Sequence, residues 1–146
     1  MRRTQTQRVE DARQRILRCL WFDQSFVKPA GQPFGLDDGR TLRVFSPGWW
    51  NLDRGPDFEN GAFRFGAGPV VKGAVEVHLR ASDWERGGHG KDTGSRRIEL
   101  HVCLWNDTGA TTVADCGGRT IPQLTVEPYL REESLVDFRE AAERVA

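Results

Sequence analysis

Asp57, Glu76 and His78 are the side chains whose types and spacing best suit chemistry. Asp57 follows Gly55-Pro56 in a turn, and Glu76 and His78 stand two apart in Gly73-Ala74-Val75-Glu76-Val77-His78-Leu79. Successive side chains of a strand point to opposite faces, so Ala74, Glu76, His78 and Arg80 share one face and Val75, Val77 and Leu79 the other. If the short segment from Ala62 to Phe65 pairs beside this strand, Asp57 converges on Glu76 and His78. Two carboxylates with a nearby nitrogen suit a hard divalent cation such as magnesium or manganese. The same alternation fits a plainer reading, in which Glu76 and His78 occupy the solvated face of a half-buried antiparallel strand. Periodicity alone favours the plainer one.

Further polar candidates surround these three. His101 stands in Ile98-Glu99-Leu100-His101-Val102-Cys103-Leu104, a second alternating strand, and lies beside His78 if the two strands are neighbours. His89 and Asp92 sit in a glycine-rich polar connection, where they can bind metal or substrate or simply be exposed. Glu10 lies near the apolar stripe of an N-terminal helix and can reach a site at the sheet edge. Trp49 and Trp50 are adjacent in a loop; such rings stack on bases or sugars, or cap a core.

The elements that must position these residues are legible as patterns. Val9, Ala12, Ile16 and Leu20 recur at helical spacing, predicting a helix over about 8–24 with arginines on its outer face. Thr41 to Phe45, Ala62 to Phe65, Val70 to Arg80 and Arg97 to Trp105 read as strands. Thr111 to Ala114 and Thr120 to Val126 read as a hairpin. Ser82 can cap a single helical turn, with Trp84 as an anchor. Ser134, with Asp137 three residues on, caps a last helix over about 134–145 whose apolar face is Leu135, Phe138, Ala142 and Val145. Strands flanked by terminal helices predict an α+β fold, with a mixed central sheet over about 41–127 and flanking helices.

A chain of 146 residues suits one domain, 1–146. Its 21 basic and 21 acidic side chains cancel, which argues against an overall basic nucleic-acid binder. The local exception is Arg2, Arg3, Arg8, Arg13, Arg15 and Arg18. Three cysteines without a CxxC spacing argue against a disulfide framework or zinc ribbon. No apolar run can span a bilayer and no signal peptide is evident, so the expectation is a cytoplasmic protein without a membrane partner. Nothing in the sequence sets the oligomeric state.

Several motifs recur in a fixed order: Ser46-Pro47-Gly48, Asn51 to Phe58, Gly73 to His78, Ser82-Asp83-Trp84, His89 with Asp92, Leu100-His101-Val102 and Ile121-Pro122-Gln123-Leu124. Together they resemble the bacterial family catalogued as domain of unknown function 2851, over about residues 15–127. Its members are usually longer, which implies a further helical region after the last helix. The family pattern in turn is similar to the PD-(D/E)XK nuclease superfamily. That likeness implies a restriction-endonuclease-like core, with Pro56-Asp57 and Glu76-Val77-His78 in the motif positions and His78 in place of the lysine.

By this resemblance Asp57 and Glu76 hold magnesium or manganese, His78 assists water or metal, and His101 stands behind them. Glu10 matches the superfamily's helix glutamate loosely. The implied function is a metal-dependent phosphodiesterase acting on nucleic acid. Two alternatives stay open. One is a non-catalytic binding module using Trp49, Trp50 and Trp84. The other is a metal-dependent hydrolase of small phosphorylated substrates.

Overall fold

The computed structural model describes residues 2–29, 31–52, 55–86 and 97–144. The elements run α1 (Gln5–Asp23), β1 (Phe34–Gly35), β2 (Thr41–Ser46), β3 (Trp49–Trp50), β4 (Phe58–Phe65) and β5 (Val70–Arg80). There follow α2 (Asp83–Arg86), β6 (Ile98–Trp105), β7 (Thr112–Ala114), β8 (Thr120–Thr125), a 3-10 turn (Glu127–Tyr129) and α3 (Glu132–Arg144). Among the described residues the strands form one mixed sheet in the order β1-β2-β4-β5-β6-β8-β7, with β3 paired to β4. Pairing is antiparallel from β1 through β5, parallel for β5-β6 and β6-β8, and antiparallel for β7-β8. The fold is α+β, and β4, β5 and β6 are neighbours as the shared alternation predicts.

One face of the sheet carries Val75, Val77, Leu79, Leu100, Val102, Leu104, Leu124 and Val126. It is covered by Leu17 and Trp21 of α1 and Phe138 of α3. Fully burying side chains of this size stabilises by about 1.5–3 kcal/mol each.

Helix α1 begins at a capping box. Thr4 Oγ1 accepts the Gln7 backbone N–H at 3.1 Å, and Gln7 Oε1 accepts that of Thr4 at 2.9 Å. It ends where Gln24 turns left-handed, at φ 51°. Its buried stripe is Leu17 and Trp21, one residue along from the expected Ile16 and Leu20, which pack at the margin. The stripe continues toward the N-terminus through Gln14 and Glu10, polar side chains that the hydrophobic pattern passed over.

Helix α3 starts two residues before the expected cap. Ser134 lies inside it and is buried with Phe138 and Ala141, while Leu135 is exposed. The acidic first turn, Glu132-Glu133, favours the helix start electrostatically and displaces Ser134 from the cap position. Val145 lies outside the described residues. No helix among the described residues is long and apolar enough to cross a membrane.

Candidate active site

Strand β5 outruns its neighbour. Its pairing with β4 ends at Phe58↔Val75, whereas pairing with β6 continues to Arg80↔Trp105. The β4-side backbone groups beyond Val75 still need partners, because an unpaired buried amide is costly. Side chains supply them. The Val77 N–H donates to Asp57 Oδ2 at 2.8 Å, and the Leu79 N–H donates to Gln14 Oε1 at 3.0 Å. Gln14 Nε2 in turn donates to the Val77 carbonyl. The strands part at the point where the acidic residues meet.

Asp57 is held there from both sides. The preceding turn is fixed by Asn51, whose Nδ2 donates to the Pro56 carbonyl at 2.8 Å and whose backbone N–H donates to the Asp57 carbonyl at 3.0 Å. Gly55 has φ 118°, a backbone state that favours glycine. Asp57 Oδ1 lies 2.9 Å from Arg18 Nε, and the Asp57 N–H donates to Glu76 Oε1 at 3.2 Å.

Glu76 is 3% exposed, which removes the solvated-face reading for this residue. Burial, followed by a hydrogen bond and like charge from the Asp57 carboxyl, pushes its pKa far above the usual carboxylate range. A carboxyl in this setting keeps its proton at neutral pH.

His78, on the same strand face as Glu76, meets a second imidazole. Its Nδ1 lies 2.9 Å from His101 Nε2, and the rings stand 5.1 Å apart. The ladder places His101 opposite Glu76 and Cys103 opposite His78, so the imidazoles meet on the diagonal. His101 is fully buried. Its Nδ1 lies 2.9 Å from Gln123 Oε1, and the Trp84 ring covers it at 5.0 Å. Trp84 is itself buried and donates Nε1–H to the Ala114 carbonyl at 2.9 Å, an anchor as its position predicts. Burial pushes the Cys103 thiol up to about 12, which makes it a poor nucleophile.

Glu10 does reach the sheet edge, but its carboxylate engages Arg80 at 2.9 and 3.2 Å, and the Arg80 guanidinium lies 5.2 Å from the Trp105 ring centre. Trp50 packs on Phe58 and Phe22 at 4.7 and 5.5 Å, while Trp49 is 69% exposed. His89 and Asp92 lie outside the described residues. Among the described residues no three His, Cys, Asp or Glu side chains group to hold a metal ion. The structure therefore brings Asp57 and Glu76 together and points His78 to His101.

Several features were not legible in the sequence. A cleft of about 620 Å³ is lined by Arg3, Arg8, Asp11, Gln14, Arg15 and Arg18, so Arg8, Arg15 and Arg18 of α1 converge with Arg3. Its Arg18 wall is the residue paired with Asp57. Gln14 was detectable in principle, because a glutamine three and seven residues before Leu17 and Trp21 sits in the buried stripe. Gln123 stood only as part of the Ile121-Pro122-Gln123-Leu124 motif, with no role attached, and Asp37 was not singled out.

The class so defined is an α+β protein with a mixed sheet and a pair of carboxyl side chains where two strands diverge, beside an arginine-lined cleft. The chain matches the family described as protein of unknown function (DUF2851) over residues 14–145 and belongs to it. The match takes in α3, beyond the motifs that carry the resemblance. No curated protein and no solved structure matches the chain.

Proposed function

We propose that this protein is a magnesium- or manganese-dependent phosphodiesterase acting on nucleic acid. The observation that carries the reading is the Asp57–Glu76 carboxyl pair at the divergence of β4 and β5, with Glu76 buried. A carboxyl that holds a proton against a neighbouring carboxyl occupies a place where a cation can replace the proton. Magnesium is commonly held by one or two carboxylates, completed by water and substrate phosphate.

Asp57 and Glu76 would hold the metal, which when bound supplies charge neutralisation at the scissile phosphate. The α1 cleft favours a polyanion, since Arg3, Arg8, Arg15 and Arg18 line it and guanidinium groups bind phosphate in pairs of hydrogen bonds. In the reaction, water forms a new P–O bond as the bond to the leaving oxygen breaks. His78 takes the proton of the attacking water, and the leaving oxygen is protonated from solvent.

The parting of β4 and β5 at the two carboxylates, with β6 parallel to β5, supports the restriction-endonuclease-like reading of the core. A binding module is the second reading, favoured by the exposure of Trp49 and of Leu52 at 93%. The two are separated by titrating magnesium and manganese into the wild type and Glu76→Gln while following thermal unfolding and cleavage of single- and double-stranded DNA and RNA. The phosphodiesterase reading expects a metal-induced rise in Tm and cleavage, both lost in Glu76→Gln. Nucleic-acid binding with neither metal shift nor cleavage would leave the binding module.

A further inference from the structure

Helix α1 presents a second stripe beside its buried one. Arg8, Asp11, Arg15, Arg18 and Phe22 follow one another at intervals of three, four, three and four residues. At 3.6 residues per turn that spacing holds all of them on one face of the helix. The rise of about 1.5 Å per residue puts Arg8 and Phe22 about 21 Å apart along the axis, the scale of a few nucleotides.

The stripe changes character along its length. Arg8 and Arg15 stand at one end, in the cleft. Asp11, the carboxylate of the cleft lining, is paired to Arg3. Among the described residues Arg8 and Arg15 have no carboxylate partner. In the middle, Arg18 Nε lies 2.9 Å from Asp57 Oδ1. At the other end Phe22 packs on Trp50, whose ring also rests on Phe58 at 4.7 Å and remains 39% exposed. Arg13 lies on the opposite side of α1, where its Nε donates to the Phe138 carbonyl of α3 at 3.0 Å. The arginines of this helix thus divide into one that packs and a set left open to a ligand.

Uncommitted guanidinium groups take phosphate oxygens. A supported, part-exposed indole takes the face of a base, and a base presents its face only when it is out of a duplex stack. We propose that this face of α1 is the track of a single-stranded nucleic acid. Backbone phosphates lie on Arg8 and Arg15 to one side of Asp57 and Glu76, and an unstacked base lies on Trp50 to the other. A strand held at both ends passes the carboxyl pair between them. Cleavage there rests on the phosphodiesterase reading. The track does not.

The test uses the full chain without added metal and a fluorescein-labelled, mixed-sequence single-stranded DNA of about 12 nucleotides, a length within the usual range of single-strand sites. Anisotropy gives the affinity across a salt series, with the duplex of the same sequence beside it. The single strand should bind more tightly. A duplex bound equally or more tightly overturns the proposal, and this comparison needs no substitution that could unfold the chain.

Each phosphate contact to a single strand adds about 0.7 to the slope of log affinity against log salt. Arg8→Gln and Arg15→Gln should each flatten the slope by about that amount, while Arg139→Gln, exposed on α3, should leave it unchanged. No flattening in the first two, or the same flattening in all three, overturns the track. Trp50→Leu should keep the slope and weaken binding by about 5-fold or more, the low end for one stacked base. Unchanged affinity in this variant, folded by circular dichroism, overturns the place given to the base. Cleavage with added magnesium is followed separately. The expected slopes without cleavage keep the track and remove the activity, whereas cleavage with unchanged slopes in the arginine variants keeps the activity and removes the track.

Discussion

The two faces of β5, β6 and β8 are both buried, and they are buried in different ways. On one face Val77, Leu100, Val102 and Leu124 meet Leu17, Trp21 and Phe138. On the other, Glu76, His101 and Gln123 lie at 3%, 0% and 0% exposure, with the Trp84 ring against His101. The apolar face needs volume and shape; dispersion and burial are nearly non-directional. The polar face needs a partner for each donor and acceptor in a given direction. A change on the first should act through cavity size, and a change on the second through which group is left unpaired or charged.

The largest effects should come from emptying either face. Trp84→Ala removes the cover of His101 and should lower stability by about 3–5 kcal/mol, and Leu100→Ala on the apolar face by about 2–5 kcal/mol. Denaturant melts read both. The imidazole resonances of His101 separate them, since they should shift in Trp84→Ala and stay in Leu100→Ala. A shift in both would mean that the faces are not independent.

The next effect is at the strand edge between them. Gln14→Leu keeps bulk but leaves the Val77 carbonyl and Leu79 N–H without their amide partner, for a cost of about 1–3 kcal/mol. A variant as stable as wild type would show that water serves this edge as well as Gln14 does.

Glu76→Gln has an effect that depends on pH and has a defined sign. The folded pKa of Glu76 lies above its unfolded value near 4.5, so the folded state holds a proton that the unfolded state has released. That contribution to stability is fully present below the unfolded value and is lost as pH rises toward the folded one, with a slope of at most about 1.4 kcal/mol per pH unit. An amide at this position has no proton to lose in that range, so the variant should equal or exceed wild type at alkaline pH. Urea melts across the range check this, and an identical slope in the two proteins would place the proton elsewhere.

Trp49→Ala should be the mildest for folding, within about 0.5 kcal/mol for an exposed site. If Trp49 stacks on bases, the same change should weaken single-strand binding by about 1–3 kcal/mol in a fluorescence titration. Unchanged affinity would assign the exposed ring no part in binding.

Local pattern alone set a large part of this molecule. Alternation in Val70–Arg80 and Ile98–Trp105 fixed which side chains share a face, because the strand period is two whatever lies outside it. The turn chemistry of Gly55-Pro56-Asp57 and the strand position of Glu76 marked both carboxylates as candidates. Tertiary structure alone decided that the polar face is covered, since burial depends on what packs above a strand and alternation reports only sidedness. It moved the buried stripe of α1 to Leu17 and Trp21, because strand backbone left unpaired beyond Val75 takes Gln14 as a partner. It also joined Asp37, Gln123, His101 and His78, four residues from three strands and a turn, into one chain. Hydrogen bonds between residues so far apart in sequence follow from the order and register of strands, which no single segment encodes.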